Sequence, residues 1–361
     1  MQSYKKNRNF ANFFDETMII SDLHTALSSF LAATPTGQVF VLTDANVASC
    51  YPMLVGDLPC CVLPAGDENK SIVSAEKVWQ FLLEHGATRD ALLLNIGGGM
   101  ITDLGGFVAA TYMRGIRCVN IPTSLLAMVD ASTGGKTGIN MLGVKNLVGT
   151  FTMPLATLIY PPFLDSLPAE EILSGYAEML KHGLIANAAH LRALLAADLQ
   201  MPYSAVLAPL VAESVQIKQQ IVNADFKESG QRKALNFGHT IGHAIEESYA
   251  AQGRAVPHGY CVLWGMVAEL YLSVVLLGCP REVLTQMSHL MISLYGRPQC
   301  NCRQVETLKQ WLLKDKKNFV APGQGQPHIS FTLLRNVGDA VVDQTVSDAY
   351  LDEALEYLFS L

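Results

Sequence analysis

The chain has 361 residues, half of them apolar and 16% charged; that balance excludes a disordered chain and suits two domains. A formal net charge of −7 excludes the broad basic footprint of a nucleic-acid binder, though not a local basic pocket. The eight cysteines (Cys50, Cys60, Cys61, Cys118, Cys261, Cys279, Cys300, Cys302) contain no C-x-x-C pair. Most sit in apolar runs as small hydrophobes, and the tight Cys300-Asn301-Cys302 pair carries little weight as a metal or redox site. No apolar leader follows Lys5, Lys6 and Arg8, and nowhere do about eighteen uncharged apolar residues run together as a membrane span would need. The expectation is a soluble cytoplasmic protein.

In chain order, residues 39–42 and 60–63 read as short buried strands, closing in Thr43-Asp44-Ala45-Asn46 and Pro64-Ala65-Gly66-Asp67. Helical apolar spacing covers 71–85. A buried strand over 91–96 runs into Gly97-Gly98-Gly99, and a helix over 101–111 precedes a strand over 117–121. Strand, glycine loop, helix and strand in this order predict βαβ units and a parallel sheet. From about Glu170 the 3.6-residue period dominates and predicts helices over 170–186, 205–224, 233–250, 260–277 and 281–294. Short strands are expected over 328–333 and 340–342, then a closing helix over 348–360. Tyr160-Pro161-Pro162 marks a boundary. The expected fold is an α/β nucleotide-binding domain over 1–160 and a mainly α-helical metal- and substrate-binding domain over 161–361. The active site is expected in the cleft between them.

Gly97-Gly98-Gly99-Met100-Ile101-Thr102-Asp103 lies where a strand hands over to a helix, so backbone N–H groups can approach phosphate oxygens. It departs from the dinucleotide fingerprint G-x-G-x-x-G, because Thr102 stands at the last glycine. A tight turn alone would also use these glycines. Asp44 and Asp67 end earlier strands, where a carboxylate accepts ribose hydroxyls or simply makes a turn. Gly134-Gly135-Lys136-Thr137-Gly138 looks like the tail of a P-loop, but Asp130 occupies the first required glycine, which argues against an ATPase. What remains is a glycine-flanked lysine, a point charge for a phosphate, with Lys145-Asn146 close behind.

Asn236-Phe237-Gly238-His239-Thr240-Ile241-Gly242-His243-Ala244-Ile245-Glu246 reads as helix, with His239 and His243 four apart on one face. Thr240 stands where a zincin carries its catalytic Glu, which argues against peptide hydrolysis. Pro257-His258-Gly259 offers a third imidazole, and Ser174-Gly175-Tyr176-Ala177-Glu178-Met179-Leu180-Lys181 a carboxylate with a lysine one turn later. Two or three His plus one carboxylate, with an open position, is catalytic zinc chemistry. A single such histidine would read as an ordinary hydrogen-bonded residue; the combination favours metal. Spacing leaves open which of His239 and His243 is the ligand.

Together these segments resemble the dehydroquinate synthase family of sugar-phosphate cyclases. The match runs from about Asp44 to Lys317. It rests on Gly97-Gly98-Gly99…Asp103, Val129-Asp130…Gly134-Gly135-Lys136-Thr137, Lys145-Asn146, Gly175…Ala177-Glu178…Lys181, Asn236-Phe237-Gly238-His239-Thr240…Gly242-His243 and Asp315-Lys316-Lys317. The resemblance implies an NAD-binding α/β domain joined to a helical metal domain, usually in a homodimer. It implies that Glu178, His239 and His258 hold zinc or cobalt, with His243 a catalytic residue near the substrate's phosphate or a metal-bound water. Asp44, Asp67, Lys70, Gly98, Gly99, Met100, Asp103, Thr123, Ser124, Leu126, Asp130, Lys136, Lys145 and Phe163 would line the NAD site, with Ser166 closing over it. Lys136, Lys145, Asn146, Lys181, Lys218, Arg232, Asn236 and one of Lys316 or Lys317 would bind the substrate's phosphate, carboxylate and hydroxyls. Taken singly, Lys70 and Lys218 also fit as solvated surface lysines.

The sequence departs from the family pattern where Asp67 replaces a usual Glu, Ser124 a second threonine, and Tyr260-Cys261 a common Glu-Ala. The implied substrate is 3-deoxy-D-arabino-heptulosonate 7-phosphate. It is converted to 3-dehydroquinate by transient oxidation with NAD+, phosphate elimination, reduction and intramolecular aldol closure. Two alternatives stand beside this reading. A metal-dependent polyol or glycerol dehydrogenase would leave Lys136, Lys145, Lys181 and Arg232 without a purpose. A cyclase of sedoheptulose 7-phosphate lacks the substrate carboxylate that Arg232, Lys218 and the Asp-Lys-Lys stretch suit.

Overall fold

The computed structural model describes residues 16–34, 37–54, 56–299, 307–312 and 329–361. Asp315, Lys316, Lys317, Cys300, Cys302 and His328 lie outside the described residues. The chain divides into two compact units: Met1–Thr123 with Ala131–Pro161, and Ser124–Asp130 with Pro162–Leu361. The segment Ser124–Asp130, expected within the first domain, therefore packs with the second.

In the first unit, β1 (Glu16–Ile19), β2 (Val39–Asp44), β3 (Cys60–Leu63), β4 (Leu92–Gly97), β5 (Arg117–Pro122) and β8 (Ala156–Ile159) form one parallel sheet in the order β1-β8-β5-β4-β2-β3. Every residue of β4 is buried, as an unbroken apolar run in a doubly covered parallel strand requires. Helices α3 (Ile72–Glu84) and α4 (Gly99–Thr111) set Val78, Leu82, Leu104 and Val108 against Phe40, Leu42 and Leu93 of the sheet. Ser71 caps α3 by accepting the Ser74 N–H at 3.3 Å. Strand order reverses between β2 and β4, so their carboxyl ends, at Asp44 and Gly97, flank the crevice where such sheets bind ligands. The sequence reading missed a hairpin: Lys136 opens β6 (Lys136–Met141), which pairs antiparallel with β7 (Val144–Phe151).

The second unit is mainly helical: α5 (Ala169–Ala186), α6 (Ala188–Leu195), α7 (Tyr203–Ala224), α8 (His239–Ala250), α9 (His258–Leu277), α10 (Arg281–Leu290) and a closing helix (Asp348–Ser360). Two antiparallel strands, β9 (Ser330–Asn336) and β10 (Asp339–Thr345), complete it. Helix α9 has the length and mean hydropathy, 1.9 over 20 residues, of a membrane span. Glu269 interrupts it, so it is not a run of uncharged apolar residues. Here α9 is the unit's core helix, with Cys261, Leu263, Met266, Val267 and Leu270 fully enclosed.

The helix expected over 233–250 is broken. Residues Gln231–Asn236 form a 3-10 turn, and α8 starts only at His239. The break lies at Gly238, whose φ of 79° is left-handed. It also lies against α9, where an added Cβ would come within 2.7 Å of the Val262 carbonyl oxygen. The buried Glu269 then accepts the Gly238 N–H at 2.6 Å and the Ile241 N–H at 3.2 Å, capping α8 from α9.

Candidate active site

Helix α5 carries Glu178 and Lys181 one turn apart, both buried and ion-paired with each other. Gly259 lets α9 approach α5: its N–H donates to Ser174 Oγ at 3.1 Å, and any side chain there would run into the Ser174 backbone. This contact brings His258 to Glu178. Glu178 Oε1 lies 3.4 Å from His239 Nε2 and 3.6 Å from His258 Nε2. Each ring is held from behind, His239 Nδ1 by the Phe237 carbonyl at 3.2 Å and His258 Nδ1 by Glu246 Oε2 at 3.0 Å. Both Nε2 atoms are thereby aimed at one carboxylate.

That arrangement fits a metal. Oε2 of the completely buried Glu178 is met by the Lys181 ammonium, whereas Oε1, the oxygen facing the two imidazoles, has no hydrogen-bond partner among the described residues. With metal–ligand distances of about 2.1 Å, neighbouring ligand atoms of a tetrahedral site stand about 3.4 Å apart, close to the separations seen. Backing of each imidazole by a carbonyl or carboxylate is the usual outer support of a histidine ligand. Burial opposes charge on His258, but Glu246 and Glu178 outweigh it and hold the ring up at about 9. Burial likewise opposes ionisation of Glu178, and the Lys181 ammonium prevails, holding the carboxyl below its ordinary value. His243 joins the group, its ring centroid 5.2 Å from that of His239 and 5.7 Å from that of His258. His239, His243 and His258 can also present nitrogens to one point, so geometry keeps both α8 histidines at the site.

Next to this cluster is a basic pocket. Lys218 on α7 donates to Asp130 Oδ1 at 2.6 Å and to the Asp130 carbonyl at 2.5 Å. Desolvation works against the Asp130 anion, yet Lys218, Lys181 and His182 hold its carboxyl far below the usual range. Arg232 is buried, donates to the Phe226 carbonyl at 2.6 Å, and also feels Glu228, Asp130 and Asp225. Asn236 donates to Glu228 Oε1 at 2.9 Å. Lys181, Lys218, Arg232 and Asn236 are thus brought together. Lys218 is not the solvated lysine it could have been by itself: it needs Asp130, 88 residues away.

In the first unit, Gly98 precedes α4 and offers no side chain to cap it, leaving first-turn N–H groups for an anion. Asp103, on the next turn, accepts from the buried Lys70 at 3.2 Å, and Lys70 also pairs with Asp67 at 3.2 Å. Lys145 reaches Asp67 at 3.3 Å. Asn140 donates to Asp67 and accepts the Asn146 N–H at 3.0 Å. Burial opposes the Asp67 charge, but Lys70 and Lys145 hold its carboxyl low. Lys70 too is therefore buried and paired. Asp44 caps the short helix Ala45–Cys50, accepting from Asn46 and Val47 N–H groups at 2.9 and 3.1 Å. The Thr123 N–H donates to the Gly97 carbonyl at 3.0 Å. Met100 lies in α4, and Lys136 is exposed at the start of β6.

Ser124, Leu126, Phe163 and Ser166 belong to the second unit; Ser166 Oγ donates to the Phe163 carbonyl at 2.9 Å. Sequence reasoning missed Glu246, Glu228, His182 and Glu269 as contributors. Only Glu246, one helical turn after the already noted His243, left a signal that spacing could have found.

A parallel α/β unit with a glycine loop and a helical unit with a carboxylate–imidazole cluster make the dehydroquinate synthase-like class of fold. Residues 60–174 match the family described as 3-dehydroquinate synthase N-terminal and residues 175–318 that described as 3-dehydroquinate synthase C-terminal. The 3-dehydroquinate synthase of Parabacteroides distasonis is 44% identical over 349 residues, covering 95% of this chain and 97% of that protein. That of Solibacter usitatus is 37% identical over 330 residues, 89% and 90% of the two chains. Among solved structures, 2-epi-5-epi-valiolone synthase from Streptomyces hygroscopicus subsp. jinggangensis 5008, with NAD+ and Zn2+ bound, superposes with a TM-score of 0.82. It is 26% identical, covering 98% of this chain and 99% of that one. The chain belongs to the 3-dehydroquinate synthase family.

Proposed function

We propose that the protein is an NAD- and divalent-metal-dependent lyase that converts 3-deoxy-D-arabino-heptulosonate 7-phosphate to 3-dehydroquinate and phosphate. The observation that carries the reading is the buried Glu178 carboxylate facing His239 and His258 beside three buried cations, Lys181, Lys218 and Arg232. A neutral polyol would make no charge-assisted contact with those cations, whereas a phosphate and a carboxylate would.

Glu178, His239 and His258 would hold zinc or cobalt. When bound, the metal would supply Lewis acidity toward a substrate hydroxyl, and NAD+ a hydride acceptor that is restored within the turnover. An Nδ1–H donated to the Phe237 carbonyl by His239 and to Glu246 by His258 would leave each Nε2 free for the metal. His243, beside that pair, is placed to hold a proton of the reacting hydroxyl on its ring. Lys181, Lys218, Arg232 and Asn236 bind and orient the anionic ends of the substrate, which keeps the folded chain in position for the aldol closure. The α4 N-terminus at Gly98–Gly99 would bind the cofactor's pyrophosphate, and Asp44, Asp67 and Lys70 its sugar side. Lys136, Lys145 and Asn146 complete the phosphate contacts of the first unit. A cytoplasmic homodimer belongs to the same reading and rests on the family alone.

Phosphate release from the deoxy-heptulosonate phosphate and from sedoheptulose 7-phosphate, each with NAD+ and zinc, tests the substrate. Faster release from the former is expected; preference for the latter would move the reading to a sister cyclase.

A further inference from the structure

His182 has no part in these steps, yet it lies at their centre. It sits one turn after Glu178 on α5, is fully buried, and neither ring nitrogen has a hydrogen-bond partner among the described residues. Burial of a polar ring without partners is costly and calls for one. One ligating atom each from His182, Asp130 and Glu178 lies within 4.8 Å of the other two. Three polar atoms this close together can share a single hydrogen-bonding partner.

The charge balance says what belongs at that point. Glu178 already faces Lys181 and Asp130 faces Lys218, so two anions are met by two ammonium groups. A second divalent cation would have to displace both lysines and draw all three ligands in to about 2.1 Å. Water requires neither. It accepts one N–H from the imidazole and donates its two protons to the two carboxylates, giving each of the three side chains one partner.

We propose that His182 is a positioning residue which, with Asp130 and Glu178, encloses a three-point site for one water molecule and through it fixes the carboxylate of the metal ligand. The inference rests on the reading of Glu178 as a ligand. Outer partners of metal ligands raise metal affinity by holding the ligand in its coordinating orientation. The same water fixes Asp130, and with it the Lys218 ammonium offered to the substrate.

His182→Phe keeps a planar ring and removes both nitrogens. Competition with a chromophoric chelator should show zinc held about tenfold more weakly by this variant, while the variant still unfolds in one cooperative transition. His182→Gln, which keeps an N–H donor, should recover part of the affinity. Zinc held as tightly by His182→Phe as by the unsubstituted protein, or equal losses in both variants, would overturn the proposal. Should His182→Phe fail to fold, 15N NMR of His182 in the unsubstituted zinc-loaded protein decides. A single neutral tautomer with a slowly exchanging N–H is expected, and two exchanging tautomers overturn it. Failure of the unsubstituted protein to bind zinc would remove the metal reading and this inference together, whereas tight binding by every variant removes the inference alone.

Discussion

Asp130→Asn keeps the side-chain shape and takes away the charged partner of Lys218, whose side chain is only 7% exposed. Breaking a buried pair costs about 3–5 kcal/mol, while an exposed pair is worth under about 1 kcal/mol. The Asp130 side chain is 25% exposed, so the expected loss is intermediate, about 2–3 kcal/mol. The Asp130 carbonyl at 2.5 Å remains as a neutral acceptor, which keeps the loss below the upper limit. Lys218→Met removes the cation and keeps most of the stem, and the double variant leaves two neutral groups. A double-mutant cycle should therefore give a coupling of at least about 1.5 kcal/mol. Urea unfolding of the metal-free protein followed by circular dichroism measures it without linkage to ligand binding. The folded Asp130 carboxyl lies well below its ordinary 3.8, so this stabilisation is present above about pH 4 and lost as pH falls further. The advantage over Asp130→Asn should shrink in that acid window. A coupling under about 0.5 kcal/mol, independent of pH, would refute the view that these groups form one buried pair.

Gly238→Ala forces a side chain into left-handed backbone and against Val262 and Met266 of α9; a loss of at least about 2 kcal/mol is expected in thermal unfolding. A stability within about 0.5 kcal/mol of the parent would contradict the account of why α8 starts at His239. Glu246→Gln should weaken zinc binding about tenfold with the fold intact. Competition with a chromophoric chelator at neutral pH measures it. Undiminished affinity there would mean that Glu246 does not orient His258.

The parallel sheet, the glycine loop and the helical second half were legible because each has a local period: apolar runs such as 91–96, and 3.6-residue spacing beyond Glu170. The break at Gly238 was not, since its cause is Glu269 and the close approach of α9, about 30 residues on. The hairpin that begins at Lys136 was hidden because its glycines looked like the tail of a phosphate loop rather than the approach to a strand. Glu178, His239 and His258 could be collected from spacing and resemblance, and in the structure both imidazoles face Glu178 Oε1, at 3.4 and 3.6 Å. Lys70 and Lys218 looked like surface lysines because their partners, Asp103 and Asp130, lie 33 and 88 residues away. Glu246 and His182 sit on helix faces whose meaning appears only when α5, α8 and α9 meet.

The central claim is that oxidation and reduction cancel within one turnover at a site holding NAD and a metal. Phosphate release and absorbance of reduced nicotinamide, followed together with the deoxy-heptulosonate phosphate, NAD+ and zinc, test it directly. The account predicts many equivalents of phosphate per protein with no net NADH beyond the amount of enzyme. NADH that rises in step with turnover would contradict it and make the protein a dehydrogenase.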